Sequence, residues 1–293
     1  MRLTPEIETV LPGPFALGEG PCWHGAEGAL YFVDALRPAI HRWHPTRGLN
    51  TWTMPAIVGS FAIRRRGGLI ASLQTGFAAV DLATGAVSPL IDPEPDRPDN
   101  ILNDGKCDRR GRFWCGSRDG ALTEPSGALY CLDPDLGVRR MDRGFIVSNG
   151  IAFSPDDRTM YFADSRGETV FAYDFDIDRG AISNRRIFFS TRDIEGRCDG
   201  ATVDAEGFYW CALVHGGKIA RIDPTGRIDR IVDVPVKHPT MCTFGGAKLD
   251  VLYVTSAASM VSEFDRARTP LAGSLFAIHG LGVTGLPEPM FAG

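Results

Sequence analysis

Four oxygen-bearing side chains are candidates for chemistry, because each is followed by a glycine directly or after one more residue. They are Glu19, Asn103, Asn149 and Asp199. Two carboxylates and two amide oxygens that converge on one point would suit a hard divalent cation. Carboxylates that lose their water need a positive partner, which a cation supplies. For any single one of them a simple turn is the competing interpretation, because Asn-Gly and Asp-Gly pairs are common turn sequences.

The elements that must position these side chains are contained in a repeat. A glycine or polar turn is followed again and again by a short apolar and aromatic run, as in Gly-Ala-Leu-Tyr-Phe-Val-Asp at 28–34. Most runs are followed by a second strand and a turn that ends in glycine, which is hairpin chemistry. One marker residue from each run gives a spacing of 39 to 49 residues, and the markers are Tyr31, Ile70, Trp114, Tyr161, Trp210 and Tyr253.

Six such units without a long 3.6-residue apolar period predict an all-β protein, a six-bladed β-propeller. We expect residues 1–293 to form a single propeller domain, with Glu6–Leu11 joining the last blade to close the ring. A β-sandwich is the competing architecture, but it rarely repeats at this period.

The four candidate side chains share one phase of this repeat. Glu19 and Asn149 each lie 12 residues before their marker, and Asn103 and Asp199 each lie 11 residues before theirs. The innermost strand of a propeller begins near the axis, so these side chains are expected to meet there. A shared phase in four of six blades favours a central metal site over four separate turns.

Composition narrows the classes of function. The chain has 293 residues, 44% of them hydrophobic, and a formal charge of −5 with only four lysines. Without a basic run or a long apolar stretch, we expect neither a nucleic acid nor a membrane as partner. Seven cysteines without a C-x-x-C spacing are expected to be reduced thiols, and the expected location is the cytoplasm. Serine-hydrolase and P-loop motifs are absent from the sequence.

Several short motifs resemble the regucalcin/gluconolactonase family of six-bladed propeller hydrolases, and the resemblance covers nearly the whole chain. The motifs are Leu-Gly-Glu-Gly-Pro-Cys-Trp at 17–23, Asn-Asp-Gly-Lys at 103–106, Ser-Asn-Gly-Ile-Ala-Phe-Ser-Pro-Asp at 148–156, Asp-Gly-Ala at 199–201 and Cys-Thr-Phe-Gly-Gly at 242–246. The resemblance implies that Glu19, Asn149 and Asp199 ligate one divalent metal ion, with Asn103 beside the metal, its water or the substrate. It also implies that Asp199 is the acid/base residue and that the reaction is hydrolysis of a sugar lactone.

The chain departs from this family at one position of interest. Many members have an arginine two residues before the asparagine of the Asn-Asp-Gly motif, whereas this chain has Ile101. We expect Arg118 to replace that arginine and, with Asn103 and position 101, to contact a hydroxyl or an anionic group of a different lactone. A solvated surface arginine is the competing interpretation of Arg118.

The function predicted from the sequence is therefore metal-dependent opening of an aldonolactone to the aldonic acid. Either Asp199 or a metal-bound hydroxide takes the proton in this scheme, and the metal is Ca²⁺, Mg²⁺, Mn²⁺ or Zn²⁺. An arylesterase or phosphotriesterase on the same metal propeller is one alternative, and a non-catalytic calcium-binding propeller is another.

Overall fold

The computed structural model describes residues 5–293, which form six four-stranded antiparallel sheets arranged as the blades of a propeller. Blade 1 consists of β2 (Gly18–His24), β3 (Ala29–Asp34), β4 (Ala39–His44) and β5 (Gly48–Thr53). Blade 2 consists of β6 (Val58–Ile63), β7 (Leu69–Leu73), β8 (Gly76–Val80) and β9 (Val87–Ile91). Blade 3 consists of β10 (Asn100–Cys107), β11 (Phe113–Asp119), β12 (Gly127–Leu132) and β13 (Val138–Phe145).

The second half of the ring repeats this order and then closes. Blade 4 consists of β14 (Ser148–Phe153), β15 (Thr159–Asp164), β16 (Thr169–Asp176) and β17 (Ala181–Ser190). Blade 5 consists of β18 (Arg197–Val203), β19 (Tyr209–Val214), β20 (Lys218–Ile222) and β21 (Ile228–Asp233). Blade 6 consists of β22 (Pro239–Gly245), β23 (Val251–Ser256), β24 (Leu275–His279) and β1 (Glu6–Leu11).

The first strand of the chain closes the ring, as predicted. β1 pairs with β24 in antiparallel register, from Glu6 opposite His279 to Leu11 opposite Leu275. Within residues 5–293 the only helix is one 3-10 turn, Arg266–Arg268, and no helix there is long and apolar enough to cross a membrane. The prediction of an all-β, six-bladed propeller is thus confirmed, whereas the metal at its centre stays a prediction.

Packing between neighbouring blades explains the apolar runs in the sequence. Each of the six apolar clusters lies between two consecutive blades, so both faces of every sheet are buried. A strand that is buried on both faces is apolar along its whole length instead of alternating with polar residues. All six marker residues pack into the cluster shared with the following blade, which makes them structurally equivalent.

Candidate functional site

The predicted site residues lie where the innermost strands break their regular pairing. In four inner strands the register with the second strand shifts at this position, between Glu19 and Cys22, Leu102 and Gly105, Asn149 and Ala152, and Cys198 and Ala201. Such β-bulges bend a strand and change the direction of a side chain. Gly20 and Gly150 lie in two of them with φ of 56° and 61°, a backbone conformation that favours glycine.

Two aspartates hold the backbone ahead of these strands. The Asp34 carboxylate accepts hydrogen bonds from the N–H groups of residues 16 and 17, at 2.8 and 3.0 Å. Asp164 does the same for residues 146 and 147, at 3.0 and 3.1 Å. Each aspartate ends the second strand of its blade, so it ties the start of the inner strand to that blade. This contact positions Glu19 in blade 1 and Asn149 in blade 4.

A chain of hydrogen bonds joins three of the predicted site residues. Arg118 Nε donates to Asn103 Oδ1 at 3.2 Å, and Asn103 Nδ2 donates to Asn149 Oδ1 at 3.0 Å. Asn149 Nδ2 donates in turn to Ser165 Oγ at 2.8 Å, and that hydroxyl donates to the Cys198 carbonyl. Both amides therefore have one defined orientation, and the Asn149 oxygen stays beside Asn103.

The carboxyl groups of Glu19 and Asp199 interact electrostatically in the same region. Burial raises the pKa of Glu19 well above its usual value, and the charges of Asp199 and Asp104 raise it further. Burial and the charge of Asp104 raise the pKa of Asp199 in the same way. Burial also raises the pKa of Asp104 to about 6, although the Ile151 N–H donates to its carboxylate at 3.2 Å. Three carboxyls share one poorly hydrated space, which favours a cation there.

This donor set fits a hard divalent cation only if an amide takes part. Within residues 5–293, no three His, Cys, Asp or Glu side chains are grouped as a metal site. The carboxylates of Glu19 and Asp199 and the amide oxygen of Asn149 are all hard oxygen donors of the kind such an ion prefers. We call Glu19, Asn103, Asn149 and Asp199 together the axial site.

Ile101 and Arg118 lie directly opposite each other on β10 and β11. Ile101 is buried and offers no polar side-chain atom, whereas Arg118 is half-buried and hydrogen-bonded to Asn103. Arg118 is thus joined to the axial site, which distinguishes it from a fully solvated surface arginine.

Sequence reasoning missed several residues that support the site. Asp104 belongs to the Asn-Asp-Gly motif, so its position directly after Asn103 could have identified it as a residue near the site. Asp34 and Asp164 could also have been identified from the sequence, because each is the last residue of the repeated apolar run in its blade. Ser165 carried no such signal, since its two hydrogen-bond partners belong to different blades.

The opposite end of the inner strands is covered by the C-terminal segment, residues 285–293. Phe291 is completely buried there, and its carbonyl accepts a hydrogen bond from the Arg65 N–H at 2.9 Å. Glu288 reaches inward to Lys106, with 2.7 Å between Nζ and Oε1, and also accepts the Thr243 hydroxyl at 3.0 Å. The axial site lies at the start of the inner strands, so these contacts close the other end of the ring.

Comparison with known proteins agrees with this architecture. Residues 17–258 match the model of the family described as SMP-30/Gluconolactonase/LRE-like region. Regucalcin from Oryctolagus cuniculus is 38% identical over 98% of this chain and 99% of its own length, and human regucalcin is 37% identical with the same coverage.

Solved structures with the same fold include a luciferin-regenerating enzyme, with a TM-score of 0.91 and 29% identity over 99% of this chain and all of that chain. The calcium-binding protein regucalcin from Agrobacterium tumefaciens has a TM-score of 0.91 and 28% identity over 95% of both chains. The predicted family is therefore confirmed: the chain belongs to the SMP-30/gluconolactonase/LRE-like family.

Proposed function

We propose that this protein is a divalent-metal-dependent lactonase that opens a sugar lactone to the aldonic acid. The observation that carries the proposal is the axial site, in which two poorly hydrated carboxyls lie with an oriented amide network. Membership of a family that includes gluconolactonases supports it. Glu19, Asn149 and Asp199 would hold the ion, which when bound supplies Lewis-acid polarisation of the lactone carbonyl.

Asp199 is the proposed general base and acid. Its carboxylate takes a proton from the attacking water as the water oxygen bonds to the lactone carbonyl carbon. The bond from that carbon to the ring oxygen then breaks, and Asp199 returns the proton to the ring oxygen.

Asn103 and Arg118 are the proposed substrate-binding residues. Asn103 already spans Asn149 and Arg118, so a lactone bound beside it would lie next to the proposed metal ligands. Ile101, opposite Arg118, shapes the same part of the pocket with an apolar surface.

The function is tested with Asp199→Asn and with a panel of substrates. Wild-type protein loaded with Ca²⁺, Mg²⁺, Mn²⁺ or Zn²⁺ should hydrolyse aldonolactones and lose that activity with a chelator. Asp199→Asn should lower kcat by about 10²-fold or more, while the exposed Asp193→Asn serves as control. A near-normal kcat in metal-loaded Asp199→Asn would exclude Asp199 as the base.

Calcium binding without turnover is the second candidate, because one structural relative is described as a calcium-binding protein. Aryl acetates and an organophosphate in the same panel test the esterase and phosphotriesterase alternatives. Binding of Ca²⁺ by calorimetry, together with no hydrolysis of any substrate, would support the non-catalytic function. Hydrolysis that persists after complete removal of metal would contradict every metal-dependent version.

A further inference from the structure

Arg118 is a half-buried cation that has no acidic partner among residues 5–293. Its Nε donates to Asn103 and its Nη1 donates to the Asp119 carbonyl at 3.3 Å. Among residues 5–293, no carboxylate oxygen lies within 4.0 Å of the Arg118 guanidinium. The neighbouring Asp119 carboxylate accepts the N–H groups of Thr123 and Glu124 instead, at 2.8 and 3.0 Å.

The two fully buried arginines of residues 5–293 are paired with carboxylates. Arg112 lies 2.9 Å from Asp108, and Arg221 lies 2.8 Å from Asp204. A guanidinium that loses water without a counter-charge has an unfavourable free energy, which an incoming anion offsets. Burial accordingly lowers the pKa of Arg118, although the charge of Asp119 acts in the opposite direction.

Arg64 and Arg230 are also half-buried without a carboxylate partner among residues 5–293, but they donate to the carbonyls of Gly293 and Leu281. Of these three arginines, Arg118 is the one that contacts the axial site.

Two further arginines are close in sequence to residues of the axial site, but Arg166 is exposed and neither repeats the situation of Arg118. Arg166 directly follows Ser165, which binds Asn149, and Arg197 is two residues before Asp199. Arg197 also lies 3.7 Å from Glu168, so its charge is partly offset.

Building on the proposed lactonase function, we propose that the preferred substrate is a lactone that carries an anionic substituent, which Arg118 binds. A planar guanidinium binds a carboxylate or a phosphate with two parallel hydrogen bonds and a charge. A sugar hydroxyl in the same place would accept a hydrogen bond but would leave the charge of Arg118 uncompensated.

The experiment compares three lactones with metal-loaded protein: gluconolactone, the monolactone of glucaric acid, and 6-phosphogluconolactone. The wild type should show a higher kcat/KM for a charged lactone than for gluconolactone, and the two charged lactones distinguish carboxylate from phosphate. Arg118→Gln keeps a donor for Asn103 without the charge and should lower this preference at least about tenfold. Arg118→Lys should retain part of it, and the exposed Arg179→Met is the matched control.

An equal preference in wild type and Arg118→Gln, with gluconolactone still hydrolysed, would overturn this inference and leave the lactonase proposal standing. If the wild type hydrolysed gluconolactone but neither charged lactone, the inference would likewise be overturned and the lactonase proposal would still stand. If no lactone is hydrolysed, calorimetric titration with glucarate, gluconate and 6-phosphogluconate still tests Arg118. The wild type should bind glucarate or 6-phosphogluconate more tightly than gluconate, and Arg118→Gln should lose that difference. Equal binding of all three by the wild type would refute the inference.

Discussion

Glu19 and Asp199 are each placed at the start of an inner strand, where burial and neighbouring carboxyls raise the pKa of both groups. In the absence of a cation these groups hold protons at a higher pH than ordinary carboxyls do. The oriented amides of Asn103 and Asn149 add polar atoms without adding charge. A cation that binds at the axial site would therefore have to displace these protons.

Metal binding should consequently depend on pH. Because a bound ion must displace protons from Glu19 and Asp199, lowering the pH should weaken binding, by up to about tenfold per pH unit for each displaced proton. Calorimetric titrations in buffers of different ionisation enthalpy measure the number of protons released. Glu19→Gln should release fewer protons than the wild type. A dissociation constant that is the same at every pH from 5 to 8 would contradict the prediction.

At the scale of single elements, an inner strand such as β14 has a β-bulge, and the backbone just before the strand is held by hydrogen bonds to an aspartate. The bulge changes the direction of a site side chain, and the aspartate at the end of the second strand fixes the backbone ahead of it. Asp164 is buried and also accepts the N–H of Gly167 at 3.1 Å. One carboxylate thus satisfies three backbone N–H groups that would otherwise lack partners.

Asp164→Ala should therefore lower the free energy of unfolding by about 2–4 kcal/mol, since buried donors without acceptors are costly. The same change should weaken metal binding, because the beginning of β14 carries Asn149. Urea unfolding and calorimetry measure the two effects, with the exposed Asp233→Ala as control. A variant as stable as the wild type would show that water replaces the carboxylate at no cost.

At the scale of the whole molecule, the ring is closed by both ends of the described chain. β1 completes blade 6, and residues 285–293 cover the ends of the inner strands opposite the axial site. The ion pair between Lys106 and Glu288 fastens this segment, and both side chains are about 10% exposed (10% and 11%). Burial alone would lower the pKa of Lys106, but the charge of Glu288 and its hydrogen bond, together with the charges of Cys22 and Asp104, outweigh burial and raise the pKa.

Glu288→Gln should lower the free energy of unfolding by about 3–5 kcal/mol, because it leaves Lys106 as a buried charge without a partner. The double variant Lys106→Met/Glu288→Gln removes that charge and should recover part of the loss. Urea unfolding at pH 7 tests both, with the exposed Glu263→Gln as control. Equal destabilisation by the single and double variants would show that lost packing, not the unpaired charge, is the cause.

Much of the fold was predictable from the sequence, because burial on both faces of every sheet leaves continuous apolar runs. The marker residues of those runs proved equivalent, since each packs against the following blade. The shared phase of Glu19, Asn103, Asn149 and Asp199 was readable for the same reason, as a repeat places equal positions at equal radius. Their roles as metal ligands and acid/base stay predictions.

The sequence by itself determined the number of blades and the closing strand, and it predicted the positions that face the axis, since all of these follow from a periodic pattern of burial. Only the tertiary structure decided which side chains touch. Asn103 and Asn149 are 46 residues apart, Lys106 and Glu288 are 182 apart, and the lack of an acidic partner for Arg118 among residues 5–293 is a fact about its surroundings. Such contacts arise between blades at side-chain distances of about 3 Å, and neither spacing nor composition specifies them.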